Sequence, residues 1–182
     1  IRVDHLLGVP ILAELFKSKF DKLEDVVVVS PDVGSVTRSR KFAERIDAPL
    51  AIIDKRRPKA NVCEIMNIIG DVRDKRVILV DDLIDTGGTV VNAVNALIEM
   101  GAKEVYSCCT HAVLSGPAIE RIAKSPLKGL ITLNTLPLPE HKKLDKIKVI
   151  SVASIFAEAI ERIYGDISIS TLFTQQEINP SQ

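Results

Sequence analysis

The stretch VILVDDLIDTGGTV (77–90) sets two adjacent aspartates, Asp81 and Asp82, behind four apolar residues, and follows them with Asp85, Thr86, Gly87, Gly88 and Thr89. Neighbouring carboxylates repel each other and repel phosphate, so they must serve donors: the hydroxyls of a sugar, or a divalent cation. The Thr-Gly-Gly-Thr run suits the opposite charge. Its glycines let backbone N–H groups approach an oxyanion, its threonines add hydroxyl donors, and a following helix leaves its first-turn N–H groups unpaired at the positive end of its dipole. Carboxylates for hydroxyls beside a cradle for phosphate describe a phosphorylated sugar. The bland alternative, an acidic turn with a threonine N-cap, leaves most of these residues without a role.

Two further stretches carry candidate chemistry. SPDVGSVTR (30–38) reads as a second anion-binding turn, with Gly34 allowing backbone approach and Asp32 free to hold a cation, although a plain helix-capping turn would look similar. DKRRPKA (54–60) gathers Lys55, Arg56, Arg57 and Lys59. Such a run is usually a solvated loop. Here it leaves a strand end on the same rim as the other two loops, and phosphoryl transfer needs mobile cations over the transferred group. His5, His111 and His141 are scattered without ligand spacing and read as structural or surface residues.

The elements that must position these loops alternate. Helical spacing covers 9–20, 35–46, 90–100, 116–124 and 153–165, with Ser35 as an N-cap and Gly101 as the stop of the third. Short β-rich runs cover 25–30, 50–54, 76–81, 104–110, 129–135 and 147–152. The run at 25–30, DVVVVS, is apolar enough for a strand buried on both faces. The expected class is α/β, a mainly parallel sheet with helices on both faces, whose ligands sit beyond the carboxyl ends of the strands.

Bulk composition sets limits. The 182 residues are 46% hydrophobic and 26% charged, with 24 Lys+Arg against 24 Asp+Glu. That balance gives no support for a nucleic-acid or anionic-membrane partner, so any anion site is local. No apolar run approaches a membrane span, and no signal peptide is visible. Cys63, Cys108 and Cys109 make neither an even set nor a CxxC pair, which fits reduced thiols and a cytoplasmic location. The chain begins at Ile1 rather than Met, as a piece of a longer protein would.

VDDLIDTGGT resembles the phosphoribosyl-binding signature of the type I phosphoribosyltransferase fold. The chain as a whole resembles the carboxyl-terminal half of the ribose-phosphate diphosphokinase (PRPP synthetase) family. VDHLLGVPIL (3–12), SPDVGS, DKRRPKANV, THAVLSGPA (110–118), FAEAI (156–160) and SISTLF (168–173) carry the likeness in order along nearly the whole chain.

The resemblance implies a transfer of diphosphate from ATP to ribose 5-phosphate, with Mg²⁺, giving AMP and 5-phosphoribosyl 1-diphosphate. It implies Lys55 as the catalytic lysine and Arg57 as the arginine that meets the ribose phosphate and transition state, with Arg56 pointing away. Asp81, Asp82, Asp85, Thr86, Gly87, Gly88 and Thr89, with Arg57, are the implied ribose 5-phosphate residues. Asp32, Gly34, Ser35, Val36 and Thr37 are the implied diphosphate loop, and Asp32 the Mg²⁺ ligand. Ser168 and Ser170 resemble positions near a regulatory phosphate site.

Two departures stand out. The family usually has a glycine where Ser35 stands, which raises the prospect of a strained backbone. Its members also have two similar domains, the amino-terminal one supplying much of the ATP site. Residues 1–173 are therefore expected to be one phosphoribosyltransferase-like domain, inactive alone, with 174–182 a polar tail, and the family implies a homo-oligomer. The rival readings are a PRPP-using phosphoribosyltransferase and a catalytically dead regulatory subunit.

Overall fold

Runs of Val, Ile and Leu become the buried middle of one sheet in the computed structural model, which describes residues 3–20, 23–56, 65–170 and 172. Its elements in order are α1 (Val9–Lys19), β1 (Val26–Ser30), α2 (Val36–Arg45), β2 (Leu50–Arg56), β3 (Ile65–Ile69), β4 (Arg76–Ile84), α3 (Gly88–Glu99), β5 (Glu104–Ala112), α4 (Ala118–Lys124), β6 (Gly129–Leu133), β7 (Ile147–Ile150) and α5 (Ala153–Tyr164). The seven strands lie in the order β3-β2-β1-β4-β5-β6-β7. All neighbours pair in parallel except β3, which runs antiparallel to β2 with Ile52 opposite Ile69.

Alternation along β1 and β4 sorts their side chains into two cores. Val27, Val29, Val77 and Leu79 meet Val90, Ala93, Val94 and Leu97 of α3 and Ala118 and Ile122 of α4 on one face. Val26, Val28, Ile78 and Val80 meet Leu12 and Phe16 of α1 and Phe42, Ala43 and Ile46 of α2 on the other. The second core is aromatic at its base, where the Phe16 ring lies 5.9 Å from Phe42 and 6.3 Å from Tyr106. Arg76 stacks 4.3 Å over Phe20 and pairs with Asp25, tying the starts of β1 and β4 together.

This layout places the site. The strand order reverses between β1 and β4, and the helices that follow them, α2 and α3, leave on opposite faces. A crevice therefore opens at the carboxyl ends of these two strands, where open α/β sheets bind ligands. The parallel sheet, the helices on both faces and the Gly101 stop (φ +92) follow the sequence expectation.

Most boundaries shift by a residue or two, and three of the shifts bear on the site. β2 runs on to Arg56, β4 runs through both aspartates to Ile84, and α3 begins at Gly88 rather than residue 90. The edge strand β3 was not anticipated, because an apolar run of five broken by Asn67 is too short to give a period. The expected tail 174–182 lies outside the described residues.

Candidate functional site

Consecutive strand residues point to opposite faces, and this decides where the twin aspartates go. Asp81 continues the Leu79 face and lines a cleft of about 370 Å³ with Asp32, Asp85, Thr86, Gly87, Gly88 and Thr89. Asp82 continues the Val80 face and lines a second cleft, of about 480 Å³, with Gly34, Thr37, Arg38, Lys41 and Arg45. The two carboxylates thus line different clefts, although they stay within reach of one another across the strand tip.

Arg38 joins them. From the first turns of α2 its Nη1 donates to Asp81 Oδ1 (3.2 Å) and its Nη2 to Asp82 Oδ2 (2.7 Å). The Asp82 backbone N–H also donates to Asp81 Oδ1 at 2.9 Å. Burial pushes the Asp81 carboxyl up to about 6, and the charge of Asp82 adds to the rise; the Asp82 N–H and Arg38 pull the other way without offsetting it. Burial raises Asp82 too. A hydrogen bond with the Asp81 side chain and the Arg38 charge outweigh it, and Asp82 lies below the usual carboxylate range. Of the pair, Asp81 takes the first proton.

The glycines after Asp85 earn their place by geometry. Gly87 has φ +73, a left-handed angle that a side chain resists, and a Cβ there would sit 3.4 Å from Ala118 Cα. It is the N-cap of α3, and its carbonyl accepts the Val91 N–H at 3.0 Å. The N–H groups of Gly88, Thr89 and Val90 precede the first helical hydrogen bond and face the crevice end of the sheet.

The turn is braced from behind by the β5–α4 connection. Ser115 donates its hydroxyl to the Asp85 carboxylate and its N–H to the Asp85 carbonyl (3.0 Å), and Arg121 Nη1 donates to the Thr86 carbonyl at 3.0 Å. Sequence reasoning assigned no role to Ser115, Arg121 or Arg38. The only signal for the first two was that LSGPAIER (114–121) also leaves a strand end on the same rim.

The loop after β1 is ordered by its own side chains. Ser30 Oγ donates to the Asp32 carbonyl (2.7 Å), and Asp32 Oδ1 accepts the Ser35 N–H (2.8 Å). Ser35 is the N-cap residue of α2, as the sequence suggested, but its hydroxyl makes no cap bond, and the Asp32 carboxylate holds it through its N–H instead. Ser35 sits at φ −89, ψ 0, an ordinary right-handed conformation. Serine at this position is unstrained. A Cβ at Gly34 would lie 3.3 Å from Asp32 Oδ1, so the carboxylate that holds the turn would have to shift by a few tenths of an ångström. Val36 and Thr37 open α2.

Among the described residues no group of three or more His, Cys, Asp or Glu side chains is arranged to hold a metal. Asp32 and Asp81 do line one cleft. Mg²⁺ keeps several waters and commonly takes one or two carboxylates plus substrate phosphates. That donor set fits an ion held jointly by the protein and a phosphorylated substrate.

The backbone of Lys55 and Arg56 closes β2 opposite Met66 and Ile65. Arg57 and Lys59 lie outside the described residues. Ser168 and Ser170 follow α5, their hydroxyls 2.7 Å apart. His111 Nδ1 lies 2.9 Å from Thr135 Oγ1. Burial raises both Cys108 and Cys109, Cys109 to about 11, so these thiols are unreactive near neutrality. Among the described residues no helix is long and apolar enough to cross a membrane. A further cleft of about 360 Å³ lies at the opposite end of β5–β7, lined by several lysines. Three of those are committed: Lys146 caps the carbonyls of Ala123 and Ser125, Lys19 sits over the Tyr106 ring, and Lys128 pairs with Glu104 at 3.8 Å.

Comparison with known proteins agrees with the fold. Residues 55–174 match the model of the phosphoribosyl synthetase-associated domain. A ribose-phosphate pyrophosphokinase of Clostridium tetani is 67% identical over 174 residues, covering 95% of this chain and 54% of that protein. The Bacillus subtilis ribose-phosphate pyrophosphokinase is 58% identical over 174 residues, covering 96% of this chain and 54% of its own. Among solved structures, phosphoribosylpyrophosphate synthetase from Mycobacterium smegmatis superposes with a TM-score of 0.82 at 40% identity, over 90% of this chain and 52% of that one. The chain spans about half the length of the relatives it matches.

Proposed function

The chain belongs to the phosphoribosyl synthetase-associated domain family, and on that premise we propose that it supplies the ribose 5-phosphate and diphosphate loops of an enzyme moving diphosphate from ATP to ribose 5-phosphate. The products are AMP and 5-phosphoribosyl 1-diphosphate. The observation that carries the reading is a single cleft at the reversal point of the sheet, which brings together a helix N-terminus with glycines, two threonines and the carboxylates of Asp32, Asp81 and Asp85.

The roles follow from chemistry. The 5-phosphate sits on the Thr86–Thr89 turn, where N–H groups and hydroxyls donate to its oxygens. Asp81 and Asp82 accept from ribose hydroxyls. The C1 hydroxyl oxygen attacks the β-phosphorus of ATP, the bond from that phosphorus to the bridging α,β oxygen breaks, and AMP leaves with that oxygen. Positioning and charge supply most of the acceleration in such transfers. The Gly34–Thr37 turn at the start of α2 meets the moving diphosphate, and Lys55 and Arg57 close over it. Asp32 would hold Mg²⁺, which would supply charge neutralisation when bound.

The relatives are about twice as long, and on this reading the missing length carries much of the ATP site. The chain alone then binds ribose 5-phosphate but does not turn over. Exposed Phe156, Ile160 and Ile163 on α5 support association with further protein surface, including other copies.

The test is product analysis on the chain extended to its relatives' full length and supplied with Mg·ATP and ribose 5-phosphate. AMP formed one-for-one with 5-phosphoribosyl 1-diphosphate is the expected result. ADP as the nucleotide product would mean a single phosphoryl is transferred and would overturn the reading.

A further inference from the structure

Two acceptors that recognise adjacent hydroxyls of one sugar must converge, and strand alternation turns Asp81 and Asp82 toward different clefts while their carboxylates stay within reach across the strand tip. Asp81 lines the glycine-turn cleft and Asp82 the neighbouring one. One side chain reaches both. The Arg38 guanidinium places Nη1 3.2 Å from Asp81 Oδ1 and Nη2 2.7 Å from Asp82 Oδ2, spanning the tip of β4 from α2. Asp81 is held further by the Asp82 N–H, at 2.9 Å.

An ordinary surface ion pair contributes little and fixes nothing. A planar fork that grips two separate carboxylates is different, because its two N–H directions are set by the plane of one group. The side chains involved are 30% (Arg38), 25% (Asp81) and 58% (Asp82) exposed, so the fork is shielded on one side while the pair stays reachable from solvent. Arg38 also stems from the helix that the Asp32–Ser35 turn begins, so it links the two candidate substrate loops through one rigid element.

We propose that Arg38 is a positioning residue that draws the Asp81 and Asp82 carboxylates together around the strand tip into one acceptor pair for a vicinal diol, and so sets the preference for ribose over 2-deoxyribose in the sugar phosphate. The proposal rests on the sugar-phosphate reading above. It predicts a specific kind of damage. Without the fork each carboxylate follows its own face of β4, the phosphate cradle stays intact, and the benefit of the second hydroxyl is lost.

Calorimetric titration with ribose 5-phosphate and with 2-deoxyribose 5-phosphate tests it on wild type, Arg38→Ala and Arg38→Lys. Wild type should favour the ribose compound by about tenfold or more, the value of one hydrogen bond to a charged group. Both variants should bind 2-deoxyribose 5-phosphate as wild type does and lose the preference. Lysine supplies a point charge without the fork, so Arg38→Lys should recover the wild-type melting temperature but not the ratio. A purely structural arginine would instead recover both or lose both. A ratio kept in either variant overturns the proposal, and Arg38→Lys alone decides if Arg38→Ala does not fold. Wild type binding both sugars equally overturns the proposal and leaves the phosphate cradle standing. Wild type binding neither overturns the sugar-phosphate reading and this inference with it.

Discussion

The two clefts on either side of the β4 tip hold opposite chemistry. Among the described residues, the one lined by Asp32, Asp81, Asp85 and the Thr86–Thr89 turn has no cationic side chain in its wall, and what it offers an anion is the backbone N–H groups at the start of α3. Its neighbour is lined by Arg38, Lys41 and Arg45 over an apolar floor of Leu6, Leu7, Val9 and Pro10. A rule that phosphate follows Lys and Arg would choose the second cleft. The geometry favours the first, because N–H groups fixed by a helix are already oriented and no long side chain has to be ordered to use them.

The contrast can be broken most severely at Gly87. Its φ of +73 and its closeness to Ala118 make Gly87→Val unfavourable by about 2 kcal/mol or more, and the displaced turn should lose ribose 5-phosphate altogether. Denaturant unfolding and calorimetry would show both effects; retained binding would move the phosphate elsewhere. Next in size is a pairwise comparison across the clefts. Thr89→Val or Asp85→Ala should abolish detectable ribose 5-phosphate binding with the fold intact. Lys41→Ala, in the basic cleft, should change it by less than about threefold. The reverse ranking would transfer the phosphate to the basic cleft.

A smaller effect concerns protons. The folded Asp81 carboxyl titrates at about 6 against an ordinary 3.8, so between those values the folded state holds the proton more tightly than the unfolded chain. Stability should therefore fall as pH rises from about 4 to about 6 and stay lowered above that. Asp81→Asn removes the penalty, so it should melt higher than wild type at pH 7 and level with it below pH 4, while weakening sugar binding. A variant that melts lower at pH 7 would show that the Arg38 pairing outweighs burial. The smallest effect is at Ser35. Because its backbone is right-handed, Ser35→Gly should cost no more than about 1 kcal/mol and bring no gain in diphosphate affinity. A gain would mean that the serine does impair the loop.

Legibility from sequence followed range. The DTGGT turn into a helix could be read because its parts are consecutive, and its structure needs little beyond the strand before it and the helix after it. Ser35 takes the N-cap position that the sequence suggested, but the absence of a hydroxyl cap bond and of strain could not be read, because both depend on a φ and a hydrogen bond that only the folded loop defines. That Asp81 and Asp82 line different clefts could not be read, because adjacency in sequence hides strand alternation. Arg38 was missed because its partners are more than forty positions away, across two strands. Ser115 and Arg121 were missed for the same reason, since they brace the turn from another connection.

The central claim is that this chain by itself carries a site for a phosphorylated ribose. Titrating it with ribose 5-phosphate in the presence of Mg²⁺, with ribose as the control, tests that most directly. Saturable binding of ribose 5-phosphate that ribose does not reproduce is the predicted result. Equal responses to the two sugars, or no heat from either, would contradict it.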